Sequence, residues 1–501
     1  MRLALLLSAV LVSCGGASDD RPNVLFVVWD TVRADRLGLY GHELDTTPFL
    51  NSFAEGALVF DDCLAPGSST VPSHASMFTG LHPVEHGANF VTKHLDDSLD
   101  TLAEVFQRAG YATYLFSANP NIQAAENFHQ GFDLEEHPWD ERYRHRALEI
   151  LAAKVQGQDR ATGLQSQIRT GRISDVELRA CGALAADGLE SFLKQRDGRP
   201  YFAFLNYMEA HAPLVPPRTY RERTMTPEQV EESYEQDRSW ANKWSYTYGF
   251  RELPEEYFEV LRGTYDAALL ELDDLLADLV TRLEAAGELE NTIVVITSDH
   301  GEHLGDHELI DHRHSVYQAL LRVPLVLRWD GRVEPGRSSA PVSGLDLFPT
   351  LIELAGLELP RQGTGARNLL SVAADRRRLA EYPDDFPVPT QDVLFMEDGT
   401  DLSAWKRELW AWVEGSRKLI LASDGEVELY DLGGDPHERD DLYAGRTPEI
   451  EALLQALAEY RAALAAPPAL AGGAELSSDL LQQLQSMGYL ESSEPDSSTG
   501  D

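Results

Sequence analysis

Three short stretches carry the residues most able to do chemistry. In Thr70-Val71-Pro72-Ser73-His74 a hydroxyl stands just ahead of a helical pattern. The spacing predicts a helix starting at Pro72, where a missing N–H costs nothing, with Thr70 at or just before the N-cap. A helix N-terminus presents unpaired N–H groups and the positive end of a dipole, so it favours anions. A hydroxyl there is more readily used as an alkoxide, above all beside a metal ion. Donors for such an ion stand elsewhere. Asp30 closes the apolar run Val24–Trp29, and Ser298-Asp299-His300 closes the run Thr292–Thr297. Two carboxylates and an imidazole suit Zn²⁺ or Mn²⁺ and, with fewer nitrogens, Mg²⁺ or Ca²⁺. Singly, an Asp after a strand is a common turn or cap residue. Together with Thr70, Asp30, Asp299 and His300 form one candidate constellation.

Continuous apolar runs mark strands buried on both faces, and ligands in open α/β sheets bind outside the carboxyl ends of such strands. Tyr201–Leu205 and Val323–Leu327 read as further strands. Helical patterns alternate with them. Leu99, Leu102, Val105 and Phe106 share a face that stops at Gly110. Tyr257–Ala286 is amphipathic, with Gly287 in the position of a C-terminal cap. The alternation predicts a doubly wound α/β domain over residues 23–375. Residues 212–255 are rich in Pro, Arg, Glu, Tyr and Trp without clear period, as expected of a long insertion near the catalytic face. Residues 376–465 predict a small C-terminal α+β subdomain, an antiparallel sheet followed by a helix from Thr447. Residues 466–501 are read as a tail expected to be partly disordered.

The chain has 501 residues, 43% of them hydrophobic, enough for a globular body. Lys and Arg number 42 against 83 Asp and Glu, a net charge of −41, which argues against a nucleic-acid partner. An anionic substrate would need a local positive site. At the N-terminus, Arg2 precedes an apolar run, Leu3–Val12, too short to span a bilayer but fitting a secretory leader. Leu11-Val12-Ser13-Cys14 resembles the bacterial lipobox. Residues 1–13 are thus expected to be a lipoprotein signal peptide. Cys14 would be the acylated mature terminus, 14–22 a tether, and the location a cell envelope, on its periplasmic or extracellular face. The alternative is an ordinary signal peptide cut near Ala17. Cys63 and Cys181 are left free to pair or not.

The motifs resemble the sulfatase family of the alkaline phosphatase superfamily over most of the chain. Pro22-Asn23-Val24 through Asp30 is similar to the family's opening strand, with Tyr40-Gly41, Thr47-Pro48-Phe49-Leu50 and Glu55-Gly56-Ala57 after it. Pro72-Ser73, Thr79-Gly80, Pro83 and His86-Gly87 match the signature helix. Thr297-Ser298-Asp299-His300-Gly301-Glu302 matches the second metal-binding strand, and Arg322-Val323-Pro324, Asp346-Leu347-Phe348-Pro349-Thr350 and Leu429-Tyr430-Asp431-Leu432 are also typical. The resemblance implies an alkaline-phosphatase-like mixed sheet sandwiched by helices, and one divalent ion (Mn, Zn, Ca or Mg) held by Asp30, Thr70, Asp299 and His300.

Four features depart from the formylglycine sulfatases. Thr70 stands where they carry Cys or Ser, so no formylglycine is expected. His74 stands where they carry Arg, and Asp30-Thr31 where they carry Asp-Asp. The Gly-Lys expected after Gly110-Tyr111-Ala112-Thr113 is replaced by Phe116-Ser117-Ala118-Asn119. What remains resembles relatives that use a plain Thr as nucleophile. By that resemblance Thr70 attacks in line, His211 contacts the anion or protonates the leaving group, and His314 (or else His312) lies beside the leaving oxygen. His74 would hydrogen-bond the anion. The expected function is metal-dependent cleavage of a phosphodiester, phosphonate or sulfate ester in a small molecule or glycan. The alternatives are an arylsulfatase-type sulfuric ester hydrolase and a non-catalytic glycan-binding lipoprotein.

Overall fold

Successive side chains on a strand point to opposite faces, so a fully apolar run needs a core on each side of its sheet. The computed structural model, which describes residues 20–89, 92–155, 164–170, 175–363, 365–383, 393–397, 399–464 and 466–468, provides both. Its main sheet contains β1 (Asn23–Trp29), β2 (Leu58–Phe60), β3 (Ala112–Ser117), β4 (Leu134–Glu136), β5 (Tyr201–Tyr207), β6 (Thr292–Thr297), β7 (Leu325–Arg328) and β8 (Gly336–Ser338). The order is β8-β2-β7-β6-β1-β5-β3-β4. β1 runs parallel to β5 and β6, whereas β7 is antiparallel to β2 and β6. The sheet is therefore mixed, as expected. Phe26, Val28, Phe204 and Val295 enter the core on one face; Leu25, Val27, Leu205 and Ile296 enter the core on the other.

Helix α1 (Thr70–Thr79) lies on the first face, packed through Val71, Ala75, Met77 and Phe78. It starts two residues earlier than predicted, with Ser69 as N-cap and Pro72 as its third residue. Pro is tolerated there because none of the first four N–H groups has an intrahelical acceptor. Thr70 is consequently the first helical residue rather than the cap. Gly80 ends the helix at φ +71°, where an added Cβ would lie 2.9 Å from the Phe348 ring.

The insertion 212–255 is more ordered than its composition suggested. It contains Arg218–Thr224, Pro227–Glu235 and α2 (Trp240–Thr247). Each is too short to display a period, yet Thr226 and Ser239 cap two of them by accepting from backbone N–H groups. Helix α3 (Glu255–Ala285) covers the second face with Leu261, Tyr265, Ala268, Leu269 and Leu272.

A four-stranded antiparallel sheet follows: β9 (Arg378–Tyr382), β10 (Leu409–Glu414), β11 (Arg417–Ala422) and β12 (Val427–Asp431). Ala380, Ala411, Val413 and Ile420 join the first core of the main sheet. Leu379, Trp412 and Leu419 pack against Ile450, Leu453 and Leu457 of α4 (Pro448–Ala463). Cys63 and Cys181 do not pair: both are free and buried, in the cores on opposite faces. The expected leader 1–13, Cys14 and nearly all of the 466–501 tail lie outside the described residues. Among the described residues no helix is long and apolar enough to cross a membrane.

Phe204 ties the sheet to α1. Its ring meets Phe78, Phe26 and His74 with centroids 4.8, 5.2 and 5.9 Å away. Phe204→Ala should lower unfolding stability by about 3–5 kcal/mol in denaturant titration. A loss below about 1 kcal/mol would show that this contact does not anchor α1.

Candidate functional site

β1 and β6 are adjacent and parallel, with Val28 opposite Thr297. Their polar extensions therefore emerge side by side at the carboxyl end of the sheet. Asp30 stays in line because its N–H donates to the Tyr207 carbonyl, 2.9 Å away. Asp30, Asp299 and His300 are wholly buried and each offers a donor atom within 4.8 Å of the others. Thr70, at the head of α1, completes the group: its Oγ1 is 3.4 Å from His300 Nε2.

The hydrogen bonds leave one atom of each acidic residue unused. Asp30 Oδ2 accepts from Asn119 Nδ2 at 2.6 Å and Asn206 Nδ2 at 3.4 Å, while Oδ1 is buried without a partner. Asp299 Oδ1 accepts from the N–H groups of Thr31 and His300, while Oδ2 is likewise buried without a hydrogen bond. His300 Nδ1–H donates to the Gly301 carbonyl at 2.9 Å, so the Nε2 lone pair is directed at the site. It lies 3.3 Å from Asp299 Oδ2. A tetrahedral ion with bonds of about 2.0–2.1 Å needs donors roughly 3.3 Å apart. The residues present thus fit a divalent ion: orphaned oxygens and a nitrogen lone pair share one space. Gly301 is required by close approach, since a Cβ there would lie 2.0 Å from the Ala319 carbonyl oxygen.

Burial, reinforced by Asp299, pushes the Asp30 carboxyl up to about 8; burial likewise lifts Asp299 to about 7. Without a cation this pocket favours bound protons. Thr31, at the family's second Asp position, takes a positioning role. Its hydroxyl donates to the Asp30 carbonyl at 2.7 Å and its N–H donates to Asp299.

His74 is buried beneath the group. Its Nδ1–H donates to the Thr70 carbonyl at 3.0 Å, and its Nε2 accepts from Asn206 at 3.5 Å. Burial lowers its imidazole to about 3, so it is neutral. Beside His300 stands His312, with ring centroids 4.6 Å apart, and His211 follows at 5.1 Å from His312. Burial holds His211 well below its ordinary value and His312 at about 3. His314, preferred over His312 on sequence, instead meets the aromatic rings of Trp244, Tyr248, Tyr382 and Trp405. Tyr248 and Tyr382 hydroxyls lie 3.2 and 3.3 Å from its two nitrogens.

Asn119, Asn206, Glu302, Asp311 and Lys243 were not singled out from sequence as site residues. Asn206 carried the same signal as Asp30, a polar residue near the end of an apolar strand. Lys243 carried none: it lies within the insertion, where α2 sets it 3.7 Å from Asp311 Oδ2.

The family model for sulfatases matches residues 22–357, and a model for the N-sulphoglucosamine sulphohydrolase C-terminal region matches 305–464. The chain is similar to an N-acetylglucosamine-6-O-sulfatase of Bacteroides thetaiotaomicron, 24% identical over 89% of this chain and 88% of that one. It is similar to human arylsulfatase A, 26% identical over 91% and 90%. Among solved structures, the phosphonate monoester hydrolase of Agrobacterium radiobacter superposes with TM-score 0.66 at 21% identity, over 88% of this chain and 95% of that one.

Two measurements test the geometry. The Asp30 and Asp299 carboxyls titrate above their ordinary value, so in metal-stripped protein they stabilise the fold when protonated. That contribution is lost as pH rises through about 7–8. The gain in Tm on adding Mn²⁺ or Zn²⁺ to stripped protein should therefore be larger at pH 8 than at pH 6, and an equal gain would contradict it. Asn119→Ala should weaken metal affinity about 10–100-fold by titration calorimetry, since it removes the shortest hydrogen bond to Asp30.

Proposed function

The chain belongs to the sulfatase family, a family of ester-bond hydrolases, and from that premise we propose that it cleaves a phosphodiester or phosphonate ester by in-line attack of Thr70. The observation that carries this reading is Thr70 Oγ1 at the first position of α1, 3.4 Å from the directed lone pair of His300. A threonine cannot yield the aldehyde that formylglycine chemistry needs, so its own oxygen is the nucleophile. Asp30, Thr70, Asp299 and His300 would hold a divalent ion, which when bound supplies Lewis acidity that eases loss of the Thr70 proton.

This chain's own groups do the rest. The start of α1 offers unpaired N–H groups to the substrate anion. Bond formation from Thr70 Oγ1 to phosphorus expels one alcohol, which takes up the proton lost by Thr70, and leaves a phosphoryl ester on Thr70 that keeps the substrate's other substituent. Water then attacks phosphorus, the Thr70 Oγ1–P bond breaks, and the Thr70 hydroxyl is restored. His211, whose Nδ1–H donates to the Ala212 carbonyl at 2.7 Å, keeps Nε2 to accept the proton of that water. His74 positions the first turn of α1 through the Thr70 carbonyl. The presence of all four donors speaks against a purely binding role.

Sulfuric ester hydrolysis by the same Thr70 is the second reading, favoured by the relatives named as sulfatases. Cys14 lipidation at the cell envelope belongs to the same proposal; Cys14→Ala should release the protein from membranes in fractionation.

Purified protein loaded with Mn²⁺ or Zn²⁺ should hydrolyse an aryl phosphodiester faster than an aryl sulfate. Thr70→Ala should lower kcat at least about 10³-fold, and Thr70→Ser should keep part of the activity. Intact mass after trapping with a slow phosphodiester should show a phosphoryl adduct on the Thr70 peptide. Activity that survives Thr70→Ala would overturn the nucleophile.

A further inference from the structure

Glu302, Asp311 and His312 form a second buried group whose donor atoms lie within 4.8 Å of one another. A two-stranded ribbon assembles it. His303-Leu304 pairs antiparallel with Ile310-Asp311, His303 opposite Asp311, so Glu302 on one arm faces Asp311 and His312 on the other. The ribbon is held from outside: Arg33 Nη1 donates to the Glu302 carbonyl at 3.1 Å, and His303 Nε2 is 2.6 Å from Ser315 Oγ.

Within the group one ring nitrogen faces two carboxylates. His312 Nδ1 is 3.2 Å from Glu302 Oε2 and 3.1 Å from Asp311 Oδ1. A single N–H serves one of them well. The separations are those of donors sharing an ion with bonds of about 2.0–2.2 Å. Asp311 Oδ2 is buried and accepts no hydrogen bond. The neighbouring cations balance charge without hydrogen-bonding it: Lys243 Nζ is 3.7 Å from Oδ2 and Arg313 Nε is 3.7 Å from Oδ1.

We propose that Glu302, Asp311 and His312 bind a second divalent ion of the Zn²⁺ or Mn²⁺ class, next to the group formed by Asp30, Thr70, Asp299 and His300. The His300 and His312 rings, 4.6 Å apart, join the two groups. An imidazole with two carboxylates is a ligand set for these metals. The inference deepens the proposed hydrolysis at Thr70 and does not depend on which ester is cleaved.

The test is metal stoichiometry. Full-length protein is stripped with chelator, saturated with Zn²⁺, desalted and counted by elemental mass spectrometry. Wild type should hold two ions per chain. Glu302→Gln and His312→Gln should each hold one, as should Asp299→Asn, with folding checked by circular dichroism. Wild type saturating at one ion, with Asp299→Asn holding none, overturns the second site and leaves the first standing. One ion in wild type and in Asp299→Asn, but none in His312→Gln, supports the second site and overturns the first. Two ions in both Glu302→Gln and His312→Gln overturns the second site.

Discussion

Everything at the carboxyl end of the sheet follows from two carboxylates that burial and strand pairing force into one dry pocket. β1 and β6 are neighbours in register, so Asp30 and Asp299 have no means of separating. Keeping Asp30 ionised at neutral pH, against a carboxyl pushed up to about 8, costs about 1.4 kcal/mol. A fold built for stability alone would place apolar side chains at these strand ends. The sheet instead surrounds them with donors: Asn119 and Asn206 for Asp30, and the Thr31 and His300 N–H groups for Asp299. These bonds use one oxygen of each carboxylate and leave the other directed inward, the arrangement a cation completes.

The same economy runs through the histidines. His300 and His74 each donate Nδ1–H to a backbone carbonyl, which fixes the tautomer and the ring's direction. In His300 this directs a lone pair at Thr70. In His74 it couples the sheet floor, through Asn206, to the first turn of α1. Thr70 is thereby positioned from beneath rather than by its own side-chain contacts. Phe204 and Phe78 supply the packing that keeps α1 at its height above the sheet.

Around this floor, structure that is irregular in sequence becomes the wall. The short helices of 212–255 bring Lys243, Trp244 and Tyr248 against the ribbon that carries Glu302 and Asp311 and against His314. The C-terminal sheet contributes Tyr382 and shares a core with the main sheet. A charged residue such as Lys243 can be buried there only because Asp311 faces it.

What the sequence determined by itself was the floor. Apolar runs that end in Asp30 and in Asp299-His300 encode strand, burial and polar terminus together, because period and composition are local properties. Thr70 ahead of a helical pattern is legible for the same reason, although the start of α1 was misplaced by two residues, since Pro is acceptable anywhere in a first turn. What only the tertiary structure decided was which side chains converge from distant elements. Asn119, Asn206 and Lys243 come from three separate elements, and nothing local distinguishes a buried Lys from an exposed one. The separate placements of His312 and His314, two residues apart on an irregular loop, follow from a positive φ at Asp311 and at His314. Those backbone turns send one ring to His300 and the other among aromatic rings, and they are set by packing rather than by residue type.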